Sequence, residues 1–240
     1  MSKYDKVTGI TKRAMVLFFL IDKSGSMTGA KIGAVNVAIR EVIPEIQQIA
    51  SDSADANIKI AVLTFSSGAQ WMYPSTIDAM QFKWSDINAD GVTDMGQAFR
   101  LLNEKLSRNG GFMTELAGSY APALFLMSDG QPTDDYIKTL TELKANSWFK
   151  ASLKAAIAIG DDADKMMLQE FTGNTESVLT VHTPEALRKL IRFVSVTASK
   201  IGSKSSNAPA DGQDQSKQDD FKQQLVDFND TLVDTDAKNW

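Results

Sequence analysis

Continuous apolar runs alternate along this chain with amphipathic stripes. Val16 to Ile21 is apolar throughout and rich in branched and aromatic residues, the pattern of a central strand covered on both faces. It stops at Asp22, where a polar, glycine-containing segment begins: Asp22-Lys23-Ser24-Gly25-Ser26-Met27. Ile32, Val35, Ile39, Val42, Ile46 and Ile49 then recur at gaps of three and four, one stripe of a helix. Pro44 lies inside that stripe and is expected to bend the helix or remove a backbone bond. Ile58 to Phe65 reads as a second strand, and Gln70 to Tyr73 as a short edge strand ended by Pro74. After an irregular connection, Thr93 opens a helix with Met95, Ala98, Phe99, Leu102 and Leu106 on one face. Ala123 to Met127 and Leu153 to Ile159 are two more buried strands, and Val178 to Val181 is the last. Between them, Thr133 is expected to cap a helix running to about Ala145, with Asp134 and Asp135 in its first turn. Short and long helices follow near Asp164 to Phe171 and Glu185 to Ile201.

This alternation predicts a doubly wound α/β fold: a mostly parallel six-stranded sheet with one short antiparallel edge strand and helices on both faces. Residues 1–14 read as an N-terminal extension and 15–201 as the domain. Residues 202–240 carry four lysines and eight aspartates, a net of −4, so most of the chain's net charge of −5 lies there. Composition marks this tail as a disordered linker up to Asp220. Phe221, Leu225, Phe228 and Leu232 then fall at helical spacing, which leaves two readings, a frayed tail, slightly favoured, or a short amphipathic helix over 220–233 that docks on the domain.

Composition narrows the function classes. The 240 residues are 43% hydrophobic, enough for one sizeable core. The net charge of −5 carries no basic surplus, which argues against nucleic-acid binding and against an anionic membrane surface. Cysteine is absent, which excludes disulfides, thiolate metal sites and cysteine nucleophiles. Met1 to Arg13 is polar and lacks an apolar core of signal-peptide length, so a cytoplasmic location is expected.

Three polar features fall at the ends of strands or starts of helices: Asp22-x-Ser24-x-Ser26, Thr93 and Asp129. Singly, each is ordinary. A strand-ending Asp followed by Ser and Gly is often only a turn, Thr93 an N-cap, and Asp129-Gly130 a tight turn. In an open α/β sheet, however, ligands bind beyond the carboxyl ends of the strands, where the strand order reverses. The first strand and the Ala123 to Met127 strand are the natural neighbours there. All five side chains offer oxygen, a set suited to a hard cation. With only two carboxylates, Mg²⁺ keeping several waters fits best, and Mn²⁺ or Ca²⁺ suits the same ligands. Such an ion stays electrophilic and can accept one more anionic oxygen from outside.

The strings around these residues resemble those of the von Willebrand factor A domain family. Phe18-Phe19-Leu20-Ile21-Asp22-Lys23-Ser24-Gly25-Ser26-Met27 is similar to the family's metal-ion-dependent adhesion motif. Gly91-Val92-Thr93-Asp94-Met95-Gly96-Gln97-Ala98 is similar to its second motif, and Ser128-Asp129-Gly130-Gln131-Pro132-Thr133-Asp134 to its third. Ala156-Ile157-Ala158-Ile159-Gly160 matches the usual glycine-ended fifth strand. The resemblance covers about Met15 to Ile201. It implies that Asp22, Ser24 and Ser26 bind the ion from one loop, Thr93 directly or through water, and Asp129 mostly through water. The third string is most similar to the bacterial tellurium-resistance and stress-response subgroup, the TerY-like proteins. That implies partners including a protein kinase and a metal-dependent protein phosphatase.

The expected function is therefore a non-enzymatic, metal-dependent protein-interaction module completed by a partner's Asp or Glu. The alternative is a Mg²⁺-dependent phosphohydrolase. Such enzymes usually place a second carboxylate two residues after the first, and here that position is Ser24, with Lys23 and Lys31 the nearest cations. His182, the only histidine, reads as a strand-end residue. Trp71 and Trp84 flank the irregular connection as packing or surface residues. Asp161, Asp162 and Asp164 read as a solvated loop and helix start. The tail's Asp219, Asp220, Asp227 and Asp230 are candidates for a built-in competitor at the cation.

Overall fold

A computed structural model describes residues 12–54, 56–114, 118–129, 131–160, 163–203 and 210–233. Its centre is the strand β1 (Arg13–Asp22), buried from its second residue onward. On one side β1 pairs in parallel with β2 (Ala56–Ser66), and on the other with β5 (Ala123–Ser128). Beyond β5 lie β6 (Leu153–Ile159) and β7 (Val178–Val181), both parallel. Beyond β2 lies antiparallel β3 (Gly68–Trp71), two residues earlier than the edge strand expected from Gln70. A two-residue strand, β4 (Ile77–Asp78), also pairs with β2 and makes seven strands in the sheet among the described residues. It carries too short a pattern to be read in advance.

Strand alternation divides the core. Met15, Leu17, Phe19 and Ile21 face a layer containing α1 (Ala30–Asp52) and α6 (Pro184–Ser203). Val16, Phe18 and Leu20 face the opposite layer, with α2 (Met95–Lys105), α3 (Ile137–Ala145) and α5 (Lys165–Thr172). A single turn of helix, α4 (Ser147–Ala151), anchors Phe149 in that second layer. Ile32, Val35, Ile39, Val42 and Ile46 of the α1 stripe are all buried, and the helix runs on through Pro44.

The stripe beginning at Phe221 lies in α7 (Ala210–Val233), a longer helix that begins within the stretch whose composition reads as a linker. Phe221 and Leu225 are fully buried in the α1/α6 layer. Phe228 stacks flat on Phe193 of α6, with ring centroids 3.9 Å apart. No helix among the described residues is long and apolar enough to cross a membrane.

The chain leaves β1 for β2 on one side and later returns to β5 on the other. The strand order therefore reverses between β1 and β5, and the crevice there opens at their carboxyl ends.

Candidate metal centre

β1 and β5 run in register, with Ile21 opposite Met127, so Asp22 and Ser128 emerge side by side. Ser128 Oγ donates to Asp22 Oδ2 at 2.6 Å, and the Ser24 amide donates to Asp22 Oδ1 at 2.8 Å. The second bond is a local Asx turn, the reason the chain breaks from extended structure directly after β1. A 3₁₀ turn over Gly25–Met27 then carries Ser26 back over the strand ends. Ser26 Oγ donates to Asp129 Oδ1 at 2.7 Å across 103 residues of sequence. With that proton committed, Ser24 Oγ is the donor in its 3.0 Å contact with Ser26 Oγ. Asp129 Oδ2 accepts from Lys31 Nζ at 2.5 Å. Asp22, Ser24 and Asp129 are almost fully buried, and Ser26 is exposed. One connected chain of oxygens thus lies at the β1/β5 switch point.

A second loop is laced to the first. The Gly25 amide donates to Gly91 O at 2.9 Å, and the Asp90 amide to Lys23 O at 2.7 Å. Lys23 Nζ also pairs with Asp90 Oδ1 at 2.9 Å, which holds the Asp90 carboxyl below its ordinary range. Gly91 has φ +76, and a Cβ there would meet Ser67 Oγ at 2.4 Å, so this close approach requires glycine. Thr93 is buried on this loop, beside the Gly25 turn rather than hydrogen-bonded into the Ser24–Ser26–Asp129 chain. Its described bonds are main-chain ones to the third loop: its N–H donates to Thr133 Oγ1 at 3.2 Å, and its carbonyl accepts from the Thr133 amide at 2.9 Å.

This geometry revises two local expectations. Thr133 does not cap the helix after it, since α3 begins only at Ile137. Thr93 does not open α2 either: Asp94 is the N-cap, accepting from the Gln97 amide at 3.1 Å. Asp134 completes the cap from another part of the chain. Its carboxylate accepts from the Met95 amide at 2.9 Å and from the Gly96 amide at 2.7 Å. The orphan amides of α2 won these residues, because a carboxylate across the crevice reaches them and the α3 start lies further on. Burial and the neighbouring Asp94 push the Asp134 carboxyl up, against the pull of the two amides.

Asp22 is pushed up in the same sense. Burial is the main cause, and the charge of Asp129 adds to it, while the bonds from Ser128 and Ser24 oppose both. Two buried carboxylates within each other's field call for positive charge. Among the described residues no three of His, Cys, Asp or Glu gather anywhere, so no nitrogen- or sulfur-rich site competes with this one. The donors that do converge are two carboxylates and serine hydroxyls, a chemistry that fits a hard divalent ion. Three residues named in the sequence take roles here that their positions did not suggest: Ser128 holds Asp22, Lys31 pairs with Asp129, and Asp134 ties α2 to the third loop. Ser128 was the most readable of them, because it ends the strand that neighbours β1.

Other singled-out residues do structural work. Trp71 packs edge-on against Phe112 and Phe18, and Trp84 Nε1 donates to Asn36 Oδ1 at 3.2 Å. Asp164 caps α5 through the Met167 amide, while Asp161 and Asp162 lie outside the described residues. Asp219 lines a cavity of about 150 Å³ beside Ser152 and Lys154, at the start of β6. That is the opposite end of the sheet from Asp129, so α7 does not bring Asp219 or Asp220 to the crevice.

The fold recurs in solved structures. A von Willebrand factor type A protein from Catenulispora acidiphila superposes with a TM-score of 0.58 at 17% identity, over 78% of this chain and 43% of that one. The pilus adhesin SpaC from Lactobacillus rhamnosus GG gives 0.61 at 15% identity, over 80% of this chain and 31% of that one. Proximal thread matrix protein 1 from the mussel byssus, in a structure with a zinc-occupied MIDAS motif, gives 0.59 at 18% identity, over 78% and 48%. The chain thus spans less than half the length of each. No curated protein matches it. The sequence model of the von Willebrand factor type A domain matches residues 17–193, which run from β1 into α6 and enclose all three loops of the crevice. The chain belongs to the von Willebrand factor type A domain family.

Proposed function

We propose that this protein is a metal-dependent protein-interaction module. Asp22, Ser24, Ser26, Thr93 and Asp129 would hold a divalent ion, Mg²⁺ in the cell, and a carboxylate from a partner protein would complete its coordination. The observation that carries this reading is the bonded chain Ser24–Ser26–Asp129, which closes beside buried Asp22 at the strand-order switch. Ser128 supports it by fixing the second oxygen of Asp22. When bound, the ion supplies a Lewis-acidic point for an acidic side chain. The protein's own residues orient the ligands and keep the inner carboxylates away from bulk water. The position two residues after Asp22 is a serine, so no second carboxylate is placed there as a nucleophile or acid, and we read the module as non-enzymatic.

We further propose a setting in a bacterial, cytoplasmic stress-response or tellurite-resistance complex, with a protein kinase and a metal-dependent phosphatase as partners. The support is the string Ser128 to Asp134, in which Thr133 and Asp134 serve the second loop. Calorimetric titration with Mg²⁺ or Mn²⁺ tests the site: saturable binding is expected for the native chain and none for Asp22→Ala. Partner capture should be abolished by chelator and by Asp22→Ala alike. Capture unaffected by either, or ion binding unchanged in Asp22→Ala, refutes the proposal.

A further inference from the structure

Two lysines flank the first loop, and they are committed differently. Lys23 is paired with the exposed Asp90, away from the buried carboxylates. Lys31 reaches inward, with its side chain only 19% exposed, and pairs with an Asp129 side chain that is 0% exposed. Nothing local favours a cation at Lys31. It is the second residue of α1, where the helix dipole is positive, and α1 has no acidic residue in its first turn. Its partner is the carboxylate at the end of β5.

We propose that Lys31 is a tethered rival of the divalent ion. Its ammonium neutralises Asp129 when metal is absent, and it sets how tightly the crevice binds metal. This inference rests on the metal-dependent reading above. Two carboxylates and one ammonium leave the crevice at −1. A divalent ion brings it to +1 while Lys31 stays, and would bring it to zero were Lys31 uncharged. The lysine therefore opposes metal loading twice: it occupies Asp129 Oδ2, and it repels the ion through a medium less polar than water. Once loaded, the surplus positive charge favours an incoming acid. In this way the same residue weakens binding of the ion alone and favours addition of an acid to the loaded crevice.

The test is titration of the full chain with Mn²⁺ alone, by calorimetry and by metal-induced change in melting temperature. Native protein, Lys31→Met, Lys31→Arg and Asp22→Ala are compared. Lys31→Met is expected to bind Mn²⁺ at least about tenfold more tightly than native protein. It should also melt lower without metal and gain more from it. Lys31→Arg retains the charge and is expected to stay within about threefold of native. Should Lys31→Met fail to fold, Lys31→Gln carries the same comparison. If native protein binds Mn²⁺, Asp22→Ala does not, and the neutral Lys31 variant binds no more tightly than native, this inference is overturned and the metal-dependent reading stands. If neither native protein nor the neutral variant binds Mn²⁺, that reading falls and this one with it.

Discussion

Asp134→Ala isolates the joint between the second and third loops. Asp134 is the only side chain bonded to the amides of both Met95 and Gly96 among the described residues, and both of those residues are buried. A hydrogen bond to a charged acceptor contributes about 1.5–3 kcal/mol, and a buried amide left unpaired forfeits most of it. Two such bonds give about 3–6 kcal/mol. Against this stand the relief of burying a carboxylate and of its repulsion with Asp94, the two causes that push the Asp134 carboxyl up. Asp94 also keeps its own bond to the Gln97 amide. The expected net loss is about 2–3 kcal/mol, or roughly 4–12 °C in melting temperature for a domain of this size. Asp134→Asn keeps an acceptor for one amide and should lose about half as much.

The same contact predicts a change of sign at Gly96. A Cβ there would meet Asp134 Oδ2 at 2.4 Å, and that oxygen is pinned by the amide it serves. Gly96→Ala should therefore destabilise the native protein by about 1–3 kcal/mol. In the Asp134→Ala background the clash is gone, leaving Thr139 Oγ1 at 3.2 Å as the nearest atom. Alanine should then be neutral or stabilise by up to about 1 kcal/mol. Urea unfolding of the four proteins at neutral pH measures the cycle. An Asp134→Ala effect within about 0.5 kcal/mol of zero, or equal Gly96→Ala effects in both backgrounds, would refute the capping argument.

Other consequences follow from the same structure. Lys154 donates to the carbonyls of Phe149 and Ser152 in a mostly buried setting, and burial lowers its pKa from 10.5 to about 8. Between those values the unfolded chain holds a proton that the folded chain has released, so stability should rise with pH there. Urea unfolding at several pH values should show that rise shrinking in Lys154→Met; an identical profile would contradict it. Phe221→Ala removes a fully buried ring from the α7 contact, a loss of about 3–4 kcal/mol in local docking. Amide exchange within Ala210–Val233 should accelerate while β1 and β5 stay protected. Ser128→Ala frees Asp22 Oδ2 and should weaken Mn²⁺ binding by about tenfold with unchanged circular dichroism. Equal affinity would show that Ser128 does not position Asp22.

What could be read in advance divides by the range of the interaction. The strands were legible because β1, β5 and β6 are buried on both faces, so their sequences are continuous apolar runs with polar ends. The α1 stripe was legible because one face meets the sheet throughout its length. The crevice was legible in outline, since Asp22 and Asp129 end strands that topology makes neighbours. Helix starts were misread wherever the cap came from elsewhere. Thr133 and Asp134 carry the local signature of a cap for α3, yet their partners are Thr93, Met95 and Gly96, some 40 residues away. Local pattern ranks a cap by its residue type and cannot see which set of orphan amides it will meet in space. Lys31 reads in sequence only as a cation near the first loop, without a partner, for the same reason. Only the fold puts Asp129, 98 residues distant, within 2.5 Å of its ammonium. The candidate ligands Asp22, Ser24, Ser26 and Asp129 are thus encoded in short strings, while the contacts of Ser128 and Lys31 that orient two of them and balance their charge depend on the fold. A variant that preserves every string but shifts that register by one residue would turn Ser128 away from Asp22 and Asp129 away from Ser26, and so would lose the crevice while keeping its motifs.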